Sequence, residues 1–266
     1  MEFVVVNDEL VKVEVENNEK CKVVDIPEGV KKIGAGAFDE FLWKVEKLYI
    51  PKSVEKIDDC AFFTEIAISN DFKEIVVDKD NKYFEVIDNC LIEKNTKTLV
   101  LAVDNSKIPV GVKVIGNYAM FFSDIRIREI DIPVGVEKIG WCSLMSSSEI
   151  DIKISSTVRE ISDGSFGCFV GDLIVDENNK NFVMKDNCLF DIRNNKMLYC
   201  NGVGMSIIKM YLDTYEEINA ETFSFCEDSD KIIKTLIKND YLYIDCEIDE
   251  DGEVVREKYF AKRSQI

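Results

Sequence analysis

No histidine occurs among the 266 residues. That absence excludes Ser-His-Asp and Cys-His catalysis, Cys-His zinc sites and the usual side-chain switch near neutral pH. Positive charge is also short: 33 Lys and Arg stand against 51 Asp and Glu, a formal net charge of −18. Such a chain has little to offer phosphate backbones or anionic lipid, which argues against nucleic acid and membrane surfaces and favours a basic or neutral protein as partner. No window approaches the roughly 18 apolar residues of a membrane span. The first residues, MEFVVVNDELVKVEV, carry acids early and have no basic segment before a long apolar run, so they do not read as a signal peptide. The expected location is cytoplasmic, or the cell surface if an export segment precedes Met1.

Cysteine is present in an odd number, nine, with no CxxC pair. Cys60 and Cys142 recur at one motif position, and Cys90 and Cys188 at another. Repetition at equivalent positions predicts packing, and a thiolate nucleophile would need a base or a positive neighbourhood that no histidine supplies. The reading is buried core thiols in a reducing compartment, without disulfides or a metal site. Proline is scarcer still. There are four, at Pro27, Pro51, Pro109 and Pro133, and each is the second residue of one recurring phrase.

That phrase organises the chain. IPEGVKKIGAGAF at Ile26–Phe38 returns as IPKSVEKIDDCAF at Ile50–Phe62, IPVGVKVIGNYAM at Ile108–Met120 and IPVGVEKIGWCSL at Ile132–Leu144. Weaker copies are ISSTVREISDGSF at Ile154–Phe166 and YLDTYEEINAETF at Tyr211–Phe223. Apolar gaps of four, three, four and one suit an amphipathic helix, but proline and paired glycines oppose a long one. A strand ending at Ile26, a turn at Pro27 and Gly29, an extended piece over Val30–Ile33 and a tight turn bringing Ala37 and Phe38 inward fit better. Spacings of 24, 24 and 22 residues between successive copies fall in the leucine-rich-repeat range of about 20–29.

Before the phrase come LxxLxI segments: Val45–Ile50, Phe72–Val77 and Ile127–Ile132. Their last two apolar residues should point inward and the residues between them outward, so that stacked copies make one parallel sheet. A longer repeat aligns Val77–Ala102 with Val175–Cys200 at an offset of 98 residues, sharing Asp78/Asp176, Asn81/Asn179, Phe84/Phe182 and the run DNCL. Asn95-Thr96 and Asn194-Asn195 mark hairpin turns within it. The chain is therefore read as a single domain over 1–266: an N-terminal β cap over 1–20, repeats over 21–237 with hairpin inserts near 78–102 and 176–200, and a C-terminal β-hairpin cap and tail over 238–266. Ile232–Ile237 is a candidate last strand, and Asp251-Gly252 turns the closing hairpin.

The pattern I-P-x-x-V-x-x-I-G-x-x-A-F with intervening LxxLxI resembles the BspA-like subfamily of bacterial leucine-rich-repeat proteins over roughly Cys21–Phe223, and the DNCL inserts resemble hairpin modules that interrupt its repeats. Met120 and Leu144 replace the motif's Phe, and the copies at Ile154 and Tyr211 lack its proline. The resemblance implies an α/β, mostly β fold: a right-handed solenoid, or horseshoe, with a parallel concave sheet, short helical or irregular turns and β-hairpin inserts. It also implies protein–protein contact or adhesion, with no catalytic residues to carry over.

Other constellations lead nowhere specific. In Asp245–Glu253, Gly252 at loop position six would put Lys258 where an EF-hand needs a bidentate Glu. Asp78–Asn81 and Asp176–Asn179 suit turn-holding better than cation binding. Gly34-Ala-Gly36 and Gly202-Val-Gly204 continue to neither phosphate-loop form. No cofactor or metal is expected. The outward residues of the strands are the candidate protein-binding concave face: Val23, Asp25, Lys47, Tyr49, Glu74, Val76, Glu129, Asp131, Asp151, Lys153, Asp172 and Ile174. On this reading Tyr49, Val76 and Ile174 are its exposed anchors. The expected function is non-catalytic binding of another protein through that face. The alternatives are a surface adhesin of the same family, or an enzyme using a Cys or carboxylate site.

Overall fold

A computed structural model describes residues 1–14, 21–38, 45–63, 72–103, 106–120, 128–144, 150–162, 164–166, 171–185, 187–194 and 196–200, with the backbone of 217–219, 242–248 and 254–261. Its strands run from two to eight residues, and most are short because the proline turn or polar residues cut the apolar runs. The chain opens with β1 (Glu2–Val6) and β2 (Glu9–Glu14). The first units supply β3 (Cys21–Asp25), β4 (Lys32–Ile33), β5 (Val45–Ile50), β6 (Lys56–Ile57) and β7 (Glu74–Val77). The first insert holds β8 (Phe84–Ile87), β9 (Cys90–Glu93) and β10 (Thr98–Ala102). Then come β11 (Val114–Ile115), β12 (Glu129–Asp131), β13 (Lys138–Ile139), β14 (Asp151–Ile154), β15 (Glu160–Ile161) and β16 (Leu173–Val175). The second insert holds β17 (Phe182–Lys185), β18 (Cys188–Asp191) and β19 (Lys196–Cys200), and the chain closes with β20 (Glu217–Asn219), β21 (Leu242–Ile248) and β22 (Val254–Ala261).

The result is a mostly-β solenoid of about six turns, with no helix among the described residues. The candidate last strand Ile232–Ile237 lies outside the described residues.

Each coil carries two strands, so stacking produces two kinds of ladder. The LxxLxI strands pair in parallel as β3-β5-β7 and again as β12-β14-β16. This corrects the expectation of one continuous sheet. The segment Ser106–Ile108, which should link the two, adopts no strand, and the first insert precedes it. The two-residue strands after each proline turn stack separately. Lys32 pairs with Lys56 and Ile33 with Ile57, and a second run joins β10, β11, β13 and β15. Their isoleucines Ile33, Ile115 and Ile139 are fully buried. Charged residues on or just before these strands form ion-pair chains: Lys32 bridges Glu9 and Asp58, while Glu137 holds Lys113 and Arg159.

The core follows from that alternation. Inward strand positions such as Val24, Leu48, Ile50, Ile152 and Ile154 are buried, as are Ala37, Phe38 and Ala61 from the closing turn. Phe38 and Phe62 stack ring to ring at 5.3 Å between adjacent coils. The proline turn is closed by the Val30 N–H donating to the Pro27 carbonyl (3.3 Å), repeated at Val54, Val112 and Val136. At Gly29, Gly111 and Gly135 φ is near +100°, which only glycine adopts without strain.

Each insert is three antiparallel strands, not a lone hairpin, because Asp88 and Asn89 adopt positive φ and turn β8 into β9 before the second turn leads to β10. The inserts are held to the coil before them by one buried asparagine each. Asn81 donates to the carbonyls of Pro51 (2.8 Å) and Val54 (3.0 Å) and accepts from the N–H groups of Tyr83 and Phe84 (both 2.8 Å). Asn179 repeats the bracket on Ser155, Val158, Asn181 and Phe182. The N-terminal hairpin proves to be the same device. Leu10 pairs with Ile33 as Leu99 pairs with Ile115, and the Gly34 and Gly116 N–H groups donate to the Leu10 and Leu99 carbonyls at the same 2.9 Å.

Candidate protein-binding face

Parallel pairing in register brings the outward residues of the LxxLxI strands into rows. Across the first ladder, Val23, Lys47 and Glu74 form one row and Asp25, Tyr49 and Val76 the next. Across the second, Glu129 lies beside Asp151, and Asp131, Lys153 and Ile174 form a row. Asp172 sits just before β16, where its N–H donates to the Asp151 carboxylate at 3.1 Å. All twelve candidate residues thus lie at outward positions, but as two patches and not one face.

Charge on the patches is largely paired. Lys47 meets Glu74 at 3.0 Å. Lys153 reaches Glu129 at 2.7 Å and Asp131 at 3.7 Å, and the hydrogen bond to Glu129, with both carboxylates near, raises its pKa above the ordinary lysine value. The anchors differ from the sequence reading. Tyr49 and Val76 are half-buried, and the Tyr49 hydroxyl donates to Asp78 at 2.8 Å, which raises the phenol pKa. Asp78 is held below the usual carboxylate range, first by the Asp80 N–H and then by Tyr49. The exposed apolar side chains on these strands are Val23 and Ile174, at 43% and 46%. Tyr49 is drawn down because Asp78, at the mouth of the insert, offers it an acceptor. No strand pattern announces that bond.

The thiols divide. Cys90 and Cys188 are buried as expected, whereas Cys60 and Cys142 are half-buried in the closing turn. Burial pushes the Cys90 thiol up to about 12. Cys60 is also raised, by burial and then by Asp59 and Asp58. Both shifts run opposite to nucleophile activation. Among the described residues no group of three or more Cys, Asp or Glu is placed to hold a metal ion, and no helix is long and apolar enough to cross a membrane. Asp78 and Asp176 spend a carboxylate oxygen on the backbone N–H two residues on, at 2.8 Å in both copies.

The buried asparagine brackets are the functional-looking residues that sequence reasoning under-read; their shared place in the 98-residue alignment was the available signal. With this geometry the comparison with known proteins is direct. The BspA type leucine rich repeat region matches in six copies, over residues 4–90 and 92–227. The chain belongs to the BspA type leucine-rich-repeat family.

Three solved bacterial structures are similar to parts of it. A leucine-rich repeat protein from Eubacterium ventriosum is 21% identical over 58% of this chain and 43% of its own, with a TM-score of 0.45. The pneumococcal vaccine antigen PcpA is 16% identical over 74% of this chain and 56% of its own, at 0.35. A leucine rich cell surface protein from Faecalibacterium prausnitzii is 21% identical over 59% of this chain and 42% of its own, also at 0.35. The chain therefore spans between two fifths and just over half the length of these relatives. Comparison with curated proteins gives no match.

Proposed function

We propose that the chain is a non-catalytic module that binds another protein through the outward rows of its LxxLxI strands. On this reading the coils wind right-handed and the two patches lie on the concave side of a horseshoe. The observation that carries it is the pair Val23 and Ile174: β-branched side chains left 43% and 46% exposed, each in a row with a lysine already held by a carboxylate, Lys47 by Glu74 and Lys153 by Glu129. Interface centres favour such apolar positions with a polar rim. A standard interface takes about 800 Å² per partner, which requires several adjacent strands and suits a stacked array. The raised thiols of Cys90 and Cys60 favour binding over covalent chemistry at those two positions.

Family membership supports a second reading, that the same face serves an adhesin displayed at the cell surface. Fractionation of the native cells, with sequencing upstream of Met1, separates this from a cytoplasmic binder.

The test is affinity capture with the whole chain against a Val23→Glu/Ile174→Glu variant, after both show equal melting temperatures. Loss of the captured protein supports the face; equal capture sinks it. Association that slows steeply with salt would further show that the acidic charge steers the partner.

A further inference from the structure

The seam between the coil at Ile108 and the coil at Ile132 differs from its neighbours. At two other seams, between the coils at Ile26 and Ile50 and between those at Ile132 and Ile154, a hydroxyl stitches the proline turns: the Gly29 N–H donates to Ser53 Oγ at 3.1 Å, and the Gly135 N–H to Thr157 Oγ1 at 2.9 Å. Here the facing residue is Gly135 itself, which has no hydroxyl to offer Gly111. On the strand side, too, no described backbone group bridges this seam. The Asp151 N–H donates to the Arg128 carbonyl (2.8 Å) and the Ile132 N–H to the Lys153 carbonyl (2.9 Å), so even-numbered residues of this strand turn their backbone to β14. In a parallel ladder alternate residues bond to opposite sides. The N–H and C=O groups of Glu129 and Asp131 therefore face the seam, and among the described residues no backbone group pairs with them there.

A cleft of about 430 Å³ occupies this place, within the size range of ligand-holding clefts. Ile108, Ile130 and Pro133 give it apolar walls. Its lining carries equal charge of either sign, Lys107 and Arg128 against Glu129 and Asp131. On either side, at the second residue after each isoleucine, stand Val110 and Val134, 87% and 68% exposed, the most exposed large apolar residues described.

We propose that this seam is a docking slot for an extended, uncharged peptide with alternating apolar residues, which adds as a strand to the free edge of β12. Edge N–H and C=O groups repeating at every second residue call for an extended backbone as partner, since a helix spends its own on itself. Val110 and Val134 supply the apolar contacts, and the cancelled lining charge selects against strongly charged sequences. The slot borders the second outward patch at Glu129 and Asp131, but it uses the backbone edge of β12 where the outward rows use side chains, so either can hold without the other.

The test takes a phage-displayed random dodecapeptide library selected on the whole chain, with the enriched peptides then synthesised and titrated calorimetrically. The expected peptides are uncharged, alternate in apolar character and bind equally in low and high salt. Methylating alternate backbone nitrogens of the peptide should weaken binding at least tenfold. So should Val110→Asp/Val134→Asp, which leaves the melting temperature unchanged because both side chains are in solvent, while Val23→Glu/Ile174→Glu should have no effect. The slot is refuted if no peptide is enriched, if the enriched peptides are basic and salt-sensitive, or if N-methylation is without effect. It is equally refuted if binding follows Val23 and Ile174 instead, an outcome that would leave the outward-row face standing.

Discussion

Replacing Asn81 by Ala should be among the most costly polar truncations in the chain. The side chain is 2% exposed and makes four hydrogen bonds of 2.8–3.0 Å, two as donor and two as acceptor. A net contribution of about 0.5–1.5 kcal/mol per bond gives a loss on the order of 2–6 kcal/mol, concentrated where the insert meets the Pro51 turn. Native-state hydrogen exchange reads it locally, as lost protection at the Tyr83 and Phe84 amides. Asn81→Asp makes a sharper test. It keeps the acceptor but aims a carboxylate oxygen at two carbonyls, so the folded state favours the protonated form and the folded pKa rises above its unfolded value of about 3.9. The variant's stability is then fullest below that value and is lost as pH rises toward the folded pKa, by about 1.4 kcal/mol per unit. Its deficit against the wild type must therefore grow between pH 4 and 7. A pH-independent deficit, or an Asn81→Ala loss under about 1 kcal/mol, would refute the bracket.

Gly171→Ala should destabilise well beyond an ordinary glycine substitution, since at φ +143° the new Cβ would stand 2.0 Å from the Ile150 carbonyl oxygen; a melting temperature within a degree of wild type contradicts this. Acid should weaken the fold through carboxylates held below their usual range. At Asp58 burial pushes the pKa up, but hydrogen bonds from Lys32 and Lys56 outweigh it; at Glu137, Lys113 and Arg159 lower it. The unfolded chain then binds more protons, so this stability is present above about pH 4 and is lost as pH falls through the folded values. Asp58→Asn should flatten the decline in melting temperature below pH 4, and an unchanged slope would rule Asp58 out.

What was legible in the sequence was whatever depended on period. The recurrence of Ile-Pro-x-x-Val fixes the coil, because proline and the inward isoleucine each have one place to go, and the outward positions follow by alternation. What was not legible depended on which groups meet across coils. Asp78 lies 29 residues from Tyr49, and nothing in the alternation of Val45–Ile50 says that the hydroxyl will turn aside to it. The ladder breaks at Ser106–Ile108 although Ile108 opens one of the best copies of the phrase; the repeat specifies the turn after Ile108 but not the hydrogen bonds before it. The equivalence of the N-terminal hairpin to an insert was hidden for a related reason. Its likeness to β9–β10 lies in backbone pairing, with few residues shared.

The two-residue ladder has a mechanical consequence. It runs through β10, β11, β13 and β15 across the very seam at which the LxxLxI ladder is interrupted. One edge of the array is bound like the spine of a book while the opposite edge is cut. Load applied across that point meets unequal resistance: spreading the cut edge breaks no described backbone bond, whereas separating the spine breaks several at once. Resistance to bending at this seam should therefore depend on direction, with the buried line of Leu99, Ile115 and Ile139 on the bonded side.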